Sequence, residues 1–242
     1  MRKTFAFTGA KKIVFGNGSL LSLAGHVKEH HSQNPLIVID KNLAKTGLQE
    51  KIASILVSEG IKFTVFDKIE PEPQIELADE GAALAIKEKC DSVIGIGGGS
   101  AMDVAKAIAV IAANKGAATD YLGLNKVPKA GLPKIMIPTT AGTGSEVTFT
   151  AVFVRKNLKK KEGMNSPYLY PELALLDPEL TLSLPPAPTA HTGLDALCHA
   201  IESYTSVNSS PMSEMFSLEA IAPISENLRT CVHDGKNLAA RE

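Results

Sequence analysis

With 242 residues and a formal net charge of −1 from 25 basic and 26 acidic side chains, the chain has no overall charge bias that would suit nucleic acid or an anionic membrane. Its 44 % hydrophobic content can fill one large α/β domain, or one domain and part of a second. Cys90, Cys198 and Cys231 lack the spacing of a disulfide framework and fit a reducing, cytoplasmic setting. The first apolar residues follow Arg2 and Lys3 and are interrupted by Thr8, Gly9, Lys11 and Lys12, so neither a signal-peptide core nor a membrane span is expected.

Along the chain, short β-branched runs alternate with segments of helical period, the pattern of a mainly parallel sheet covered by helices. The first predicted strand, Leu36–Ile39, delivers Asp40 to its carboxyl end, where open α/β sheets bind ligands. An acid there can hydrogen-bond both ribose hydroxyls of an adenosine and repel a 2′-phosphate, favouring NAD over NADP. The same residue would serve equally as a helix N-cap. A second strand is predicted at Lys62–Phe66, followed by a helix whose stripe is Ile75, Ala78, Ala82, Ala85 and Ile86.

The third strand, Ser92–Ile96, runs into Gly97, Gly98, Gly99 and Ser100 and then a helix with Val104, Ile108, Ile111 and Ala112 on one face. Three successive residues without Cβ let a backbone approach a phosphate, and the helix N-terminus behind them offers unbonded N–H groups and a positive dipole end. A pyrophosphate cradle is the functional reading. The plainer one is a tight turn in which Ser100 caps the helix and Asp103 closes a capping-box-like pair, and the two are compatible. The acid Asp40 precedes the glycines, unlike the usual dinucleotide fingerprint.

A buried strand at Ile135–Ile137 leads into Pro138-Thr-Thr-Ala-Gly-Thr-Gly-Ser-Glu146, whose hydroxyls and amides suit phosphate or the nicotinamide carboxamide, or else a local Thr/Gly turn. Ala151–Val154 is β-prone and runs into the lysine-rich stretch Arg155–Glu162, read as a solvated hairpin tip, and the last strand is predicted at Leu173–Leu176. Pro185, Pro186 and Pro188 mark a composition change, and a domain boundary is placed there: 1–184 as the α/β domain and 185–242 as the start of a helical one. Helices are predicted from Thr192, with Leu194, Leu197, His199, Ala200 and Ile201 in one, and over Met215–Leu228 in another, interrupted by Pro223. Asp195 and His199, four apart, project from one helix face and can meet one metal ion, although such a pair by itself is more often a helix-surface pair or a hydrogen-bonded histidine. Glu202 lies a turn further as a supporting partner.

Taken in order, Asp40 after a strand, Gly97-Gly-Gly-Ser-x-x-Asp103, Pro138-Thr-Thr-x-Gly-Thr-Gly-Ser-Glu146, Asp177-Pro-x-Leu-Thr181 with Leu184-Pro185, and Asp195-Ala-Leu-x-His-Ala-x-Glu202 resemble the iron-containing (group III) alcohol dehydrogenases over essentially the whole chain, with Lys11–Gly18 as the opening strand. The resemblance implies a Rossmann-like, parallel-sheet dinucleotide-binding domain followed by the beginning of an all-helical metal-binding domain. It implies an oxidoreductase that moves hydride between NAD and a small alcohol or aldehyde. By the same resemblance Asp40 holds the adenosine ribose; Gly97, Gly98, Gly99 and Ser100 with Asp103 serve the pyrophosphate loop; Thr139, Thr140 and Thr143 serve the phosphate and nicotinamide end. Lys161 corresponds to a cofactor-contacting lysine and Leu180 to an adenine-side contact. Asp195 and His199 correspond to the first two of four ligands, one aspartate and three histidines, for a divalent ion, Fe2+ or Zn2+, that polarises the alcohol oxygen.

The family's two later histidines do not occur before Glu242, and His233, in Arg229-Thr-Cys-Val-His-Asp-Gly-Lys236, matches neither motif. A C-terminally truncated chain with impaired catalysis is therefore expected. The alternatives are an NAD-binding module or fragment without turnover, and a polyol oxidoreductase like the glycerol dehydrogenases. Apolar helix faces left without neighbours are compatible with a homo-oligomer.

Overall fold

Runs such as Leu36-Ile-Val-Ile39 and Val93-Ile94 leave no polar face, so their strands must be covered on both sides, and parallel pairing with helical crossovers is the arrangement that does so. The computed structural model describes residues 4–242; Arg2 and Lys3 lie outside the described residues. The chain divides into two compact units: an α/β unit of Ala10–Pro138 and Ser145–Asp177, and a helical unit made of the chain up to Gly9, Thr139–Gly144 and Pro178–Glu242.

In the α/β unit the elements are β1 (Ile13–Phe15), α1 (Leu23–Glu29), β2 (Pro35–Asp40), α2 (Lys41–Ala44), α3 (Leu48–Ser58), β3 (Thr64–Ile69), α4 (Glu76–Lys87), β4 (Ser92–Gly97), α5 (Gly99–Ala113), β5 (Gly123–Leu124), β6 (Lys134–Pro138), β7 (Thr150–Arg155), β8 (Lys160–Asn165) and β9 (Leu173–Leu176). The main sheet runs β1-β9-β6-β4-β2-β3 and every pairing in it is parallel. This is the Rossmann-like parallel sheet that the alternating pattern predicts. All five predicted strands are present, with the second starting at Thr64 rather than Lys62. A second sheet, β5-β8-β7, joins an antiparallel hairpin to the short β5. The lysine-rich stretch is only partly a tip: the turn is Lys156–Leu158 with Lys159 left-handed at φ 48°, and Lys160 already belongs to β8.

Helix α5 is the centre of this unit. From Ala101 to Ile111 every residue but Asp103 is buried, so it is enclosed all round rather than along the predicted stripe. Gly95 in β4 lets it approach the sheet, because a Cβ there would lie 2.7 Å from both Ala105 Cβ and Met136 Sδ. At the sheet's outer edge Asp177 is buried and accepts the Gly18 and Leu20 amides at 3.0 and 3.1 Å, tying the turn after β1 to the end of β9.

The helical unit contains α6 (Pro186–Thr205), α7 (Pro211–His233) and α8 (Leu238–Arg241). The helix predicted from Thr192 thus begins earlier, at the prolines: Pro185 is the N-cap residue and Pro186 and Pro188 lie in the first turn, where the missing N–H groups would have had no intrahelical acceptor. Pro223 stays inside α7 and does not divide it. Gly193 on α6 faces Leu228 on α7 so closely that a Cβ would overlap the leucine's Cδ1. Arg241 closes the far end, donating to Thr189 Oγ1 at 3.1 Å and to the Leu184 carbonyl at 3.4 Å. Among the described residues no helix is long and apolar enough to cross a membrane.

Candidate cofactor cradle and metal-ligand pair

Parallel strands present their carboxyl ends along one rim, and β2 and β4 are neighbours, so the sequence-predicted Asp40 and Gly97 come together there. A Cβ on Gly97 would lie 4.0 Å from Asp40 Cβ, 3.8 Å from Leu43 Cδ2 and 3.0 Å from Ala101 Cβ. Gly97 has φ +140°, a conformation that disfavours any side chain, whereas Gly98 is extended at φ −79°, ψ −175° and is the N-cap residue of α5. Gly98 has no side chain with which to cap this helix, and the first intrahelical bond runs from Met102 N–H to the Gly98 carbonyl at 3.2 Å. The amides of Gly99, Ser100 and Ala101 precede that bond and carry the positive end of a 15-residue helix. That is an anion-binding terminus with the acid of β2 beside it.

Asp40 is half-buried and caps α2: its Oδ1 accepts the Asn42 and Leu43 amides at 2.7 and 3.1 Å. The N-cap reading of Asp40 is therefore realised, and it employs one carboxylate oxygen, leaving Oδ2 outside the cap. The Ser100–Asp103 capping box does not form. Asp103 turns inward: Oδ1 accepts from Ser145 Oγ at 2.6 Å and pairs with Lys106 Nζ at 3.1 Å, while Oδ2 accepts the Val152 amide at 3.0 Å. Capping motifs report local geometry, and Asp103 has instead found long-range partners.

Lys106 is the residue that sequence reasoning missed. Its side chain is fully buried, and Nζ also donates to the Ser145 carbonyl at 2.9 Å, Thr148 Oγ1 at 3.4 Å and the Thr150 carbonyl. Burial pushes its pKa down, opposed by the attraction of Asp103 and Glu146. Burial likewise raises Glu146, partly offset by a backbone hydrogen bond and by Lys106. The available signal was one charged residue in the apolar run Val104-Ala-Lys-Ala-Ile108, three positions after an acid. Lys161, on β8, is exposed and pairs with Glu72 at 2.9 Å.

The remaining site residues lie in the helical unit. Thr139 is buried, Thr140 half-buried and Thr143 exposed, and Gly142 of the same loop abuts α6, where a Cβ would lie 2.8 Å from Thr192 Cβ and from its carbonyl oxygen. Leu180 is buried in the turn Pro178–Thr181. Asp195 and His199 share a face of α6, as their spacing predicts, with Nδ1 and Oδ2 3.8 Å apart and side chains 43 % and 54 % exposed. Among the described residues no group of three or more His, Cys, Asp or Glu side chains could hold a metal ion. A catalytic divalent site ordinarily takes three protein ligands, so this pair does not by itself fit a metal centre.

Two family models match the chain: iron-containing alcohol dehydrogenase over residues 10–178, and the C-terminal part of the Fe-containing alcohol dehydrogenase family over residues 189–242. The chain is 44 % identical over 229 residues to a long-chain-alcohol dehydrogenase of Geobacillus thermodenitrificans, a match spanning 93 % of this chain and 58 % of that protein. In structure it resembles a 1,3-propanediol oxidoreductase, with a TM-score of 0.95 and 34 % identity over 99 % of this chain and 63 % of the other. It also resembles a sulfoacetaldehyde reductase of Bifidobacterium kashiwanohense solved in complex with NAD+, with a TM-score of 0.92 and 34 % identity over 99 % of this chain and 64 % of that one. The chain thus spans about 60 % of the length of the relatives it matches. A glycine cradle and an acid on adjacent parallel strands, a hydroxyl loop after β6 and a helical Asp-x-x-x-His pair occur in one order within the residues that the two family models match, and the chain belongs to the iron-containing alcohol dehydrogenase family.

Proposed function

We propose that this chain binds NAD as the cofactor-binding part of an alcohol dehydrogenase that moves hydride between NAD and a small alcohol or aldehyde. The observation that carries the reading is the uncapped N-terminus of α5 beside Asp40. Gly97, Gly98, Gly99 and Ser100 take the pyrophosphate on backbone amides, and Gly97 keeps the backbone in a conformation that other residues disfavour. Asp40 holds α2 with one oxygen and is assigned the ribose hydroxyls with the other. Thr139, Thr140 and Thr143 are assigned the phosphate and nicotinamide end, Lys161 a cofactor contact and Leu180 the adenine side. When bound, NAD supplies the hydride acceptor. Asp195 and His199 are assigned to a divalent metal, iron or zinc, whose remaining ligands are not among the described residues.

Titration of the purified chain with NADH and NADPH, followed by fluorescence, tests this reading together with Asp40→Asn, which keeps a capping oxygen but removes the charge. NADH is expected to bind more tightly than NADPH, and Asp40→Asn to narrow the difference by about tenfold or more. Equal affinity for the two in the wild type, or an unchanged preference in the variant, would overturn the ribose assignment. A second reading, an NAD-binding module without turnover, is supported by the Asp195–His199 pair, which among the described residues is joined by no third metal-binding side chain. It expects NADH binding by the 242-residue chain with no activity toward short alcohols and aldehydes after addition of ferrous iron or zinc. Metal-dependent turnover would remove it.

A further inference from the structure

A residue held at positive φ carries its Cβ against its own backbone, and Gly or Asn fills such a position at less cost than Glu does. Glu72 stands there at φ 55°, between Pro71 and Pro73, in the strap that follows β3. The strap starts beside the cradle, because Ile69 at the end of β3 is in register with Asp40 at the end of β2. It finishes on the hairpin: the Val154 amide of β7 donates to the Pro73 carbonyl at 2.9 Å, Gln74 bridges to Val154, and Val154 pairs with Lys161 of β8. The Glu72 carboxylate meets the Lys161 ammonium at 2.9 Å, with side chains 67 % and 62 % exposed. A pair so open to water adds little to stability, and the backbone at this position favours other residues, so neither accounts for an acid here. The acid instead occupies the lysine to which the NAD reading assigns a cofactor contact.

We infer that Glu72 is a built-in competitor of the cofactor: its carboxylate holds the Lys161 ammonium that a bound dinucleotide would use, so NAD and NADH bind more weakly and leave faster than the cradle alone would allow. The inference deepens the NAD reading above and rests on it. The chemistry is an exchange of anions on one cation. A dinucleotide, negatively charged along its pyrophosphate, must displace the Glu72 carboxylate from Nζ, and the displaced charge stays on a strap held in place by its two prolines and by the Val154 amide. Because one ion pair is traded for another, Lys161 adds little to affinity while Glu72 is present and much more once the acid is removed.

The test titrates NADH into the full chain, Glu72→Gln, Lys161→Met and the double variant, with release followed by stopped-flow fluorescence. Glu72→Gln keeps the length of the side chain and removes its charge, and it is expected to bind NADH about three- to tenfold more tightly, chiefly through slower release. In the Lys161→Met background the same change is expected to alter affinity by less than about twofold, since no cation is left to compete for. Melting temperature is expected to be nearly the same in wild type and Glu72→Gln, as it should be for an exposed pair. An unchanged or weakened NADH affinity in Glu72→Gln overturns the inference. So does a gain of equal size with and without Lys161, which would mean a general repulsion of the cofactor by the acid. Binding by Glu72→Gln but not by the wild type supports it. If neither binds NADH, the NAD reading falls instead, and the competition is judged at the lysine itself. Acetylation of Lys161 by acetic anhydride, read by peptide mass, should then be faster in Glu72→Gln than in the wild type, and equal rates would show that Glu72 does not hold the ammonium.

Discussion

The glycine loop of the α/β unit and the Asp195–His199 pair of the helical unit are both short motifs legible in the sequence, yet their surroundings hold them very differently. Around the cradle the supporting polar groups are satisfied inside the fold: Asp40 caps α2, Asp103 holds Ser145 and Val152, and Lys106 is bound on all sides. The α6 pair has one contact, at 3.8 Å, between two half-exposed side chains. A backbone loop with buried polar supports is fixed once its unit has folded. Two half-exposed side chains on one helix face are not.

The largest test of that contrast is Gly98→Val. Gly98 has an ordinary backbone conformation, so the fold should persist while the added branches fill the space a pyrophosphate needs, and NADH binding should be abolished with little change in melting temperature. A folded variant with normal NADH affinity would reduce the loop to a turn. Next in size is Gly193→Val, which forces Leu228 away from α6 and should cost about 1–3 kcal/mol in urea denaturation. A change near zero would mean that α6 and α7 repack freely.

A smaller effect is expected from acid. Burial tends to raise the Glu172 carboxyl, but Lys134, through its charge and its backbone amide, and Lys11 outweigh it and hold the pKa below the ordinary 4.5. A folded value below the unfolded one means that stability is fully present above pH 4.5 and is lost as pH falls through the folded value. The melting temperature should therefore drop in that acid range, and Glu172→Gln should flatten part of the drop; an identical pH profile in the variant would exclude Glu172 as its source. Smallest of all is His199→Ala, expected to change stability by about 0.5 kcal/mol or less and to leave NADH affinity where it was. A large loss of either would show that the α6 pair is already integrated into the fold.

The buried strands and the glycine turn were legible because both leave a local mark: a strand covered on both faces has no polar alternation, and glycines between a strand and a helix mark a turn that other residues disfavour, as Gly97 at φ +140° shows. What was misread depended on partners far along the chain. Asp103 fits a capping box by spacing, but its actual partners stand 42 and 49 residues away. Ile86, Leu194 and Ile201 fall on apolar stripes and are 59 %, 52 % and 45 % exposed, since periodicity names a face without saying what covers it. The helix predicted from Thr192 begins at Pro186, because its first turn tolerates the prolines that a helix interior disfavours. The two-residue β5 is too short to leave any periodic signal.

The Asp177 clasp has a consequence for the order in which the chain acquires its structure. The carboxylate reaches back 159 residues to the Gly18 amide, and among the described residues β1 pairs with β9 alone. During synthesis, β2, β3, β4 and β6 can condense around α5 while β1 waits, because its only template has not yet emerged; closing so long a loop is the slowest kind of contact to make. Until then Ile13 and Phe15, which remain 58 % and 55 % exposed even in the finished structure, stay available to other nascent chains. Asp177→Ala should accordingly slow the final refolding phase while leaving the early collapse unchanged, making the first strand of the sequence the last to join the sheet.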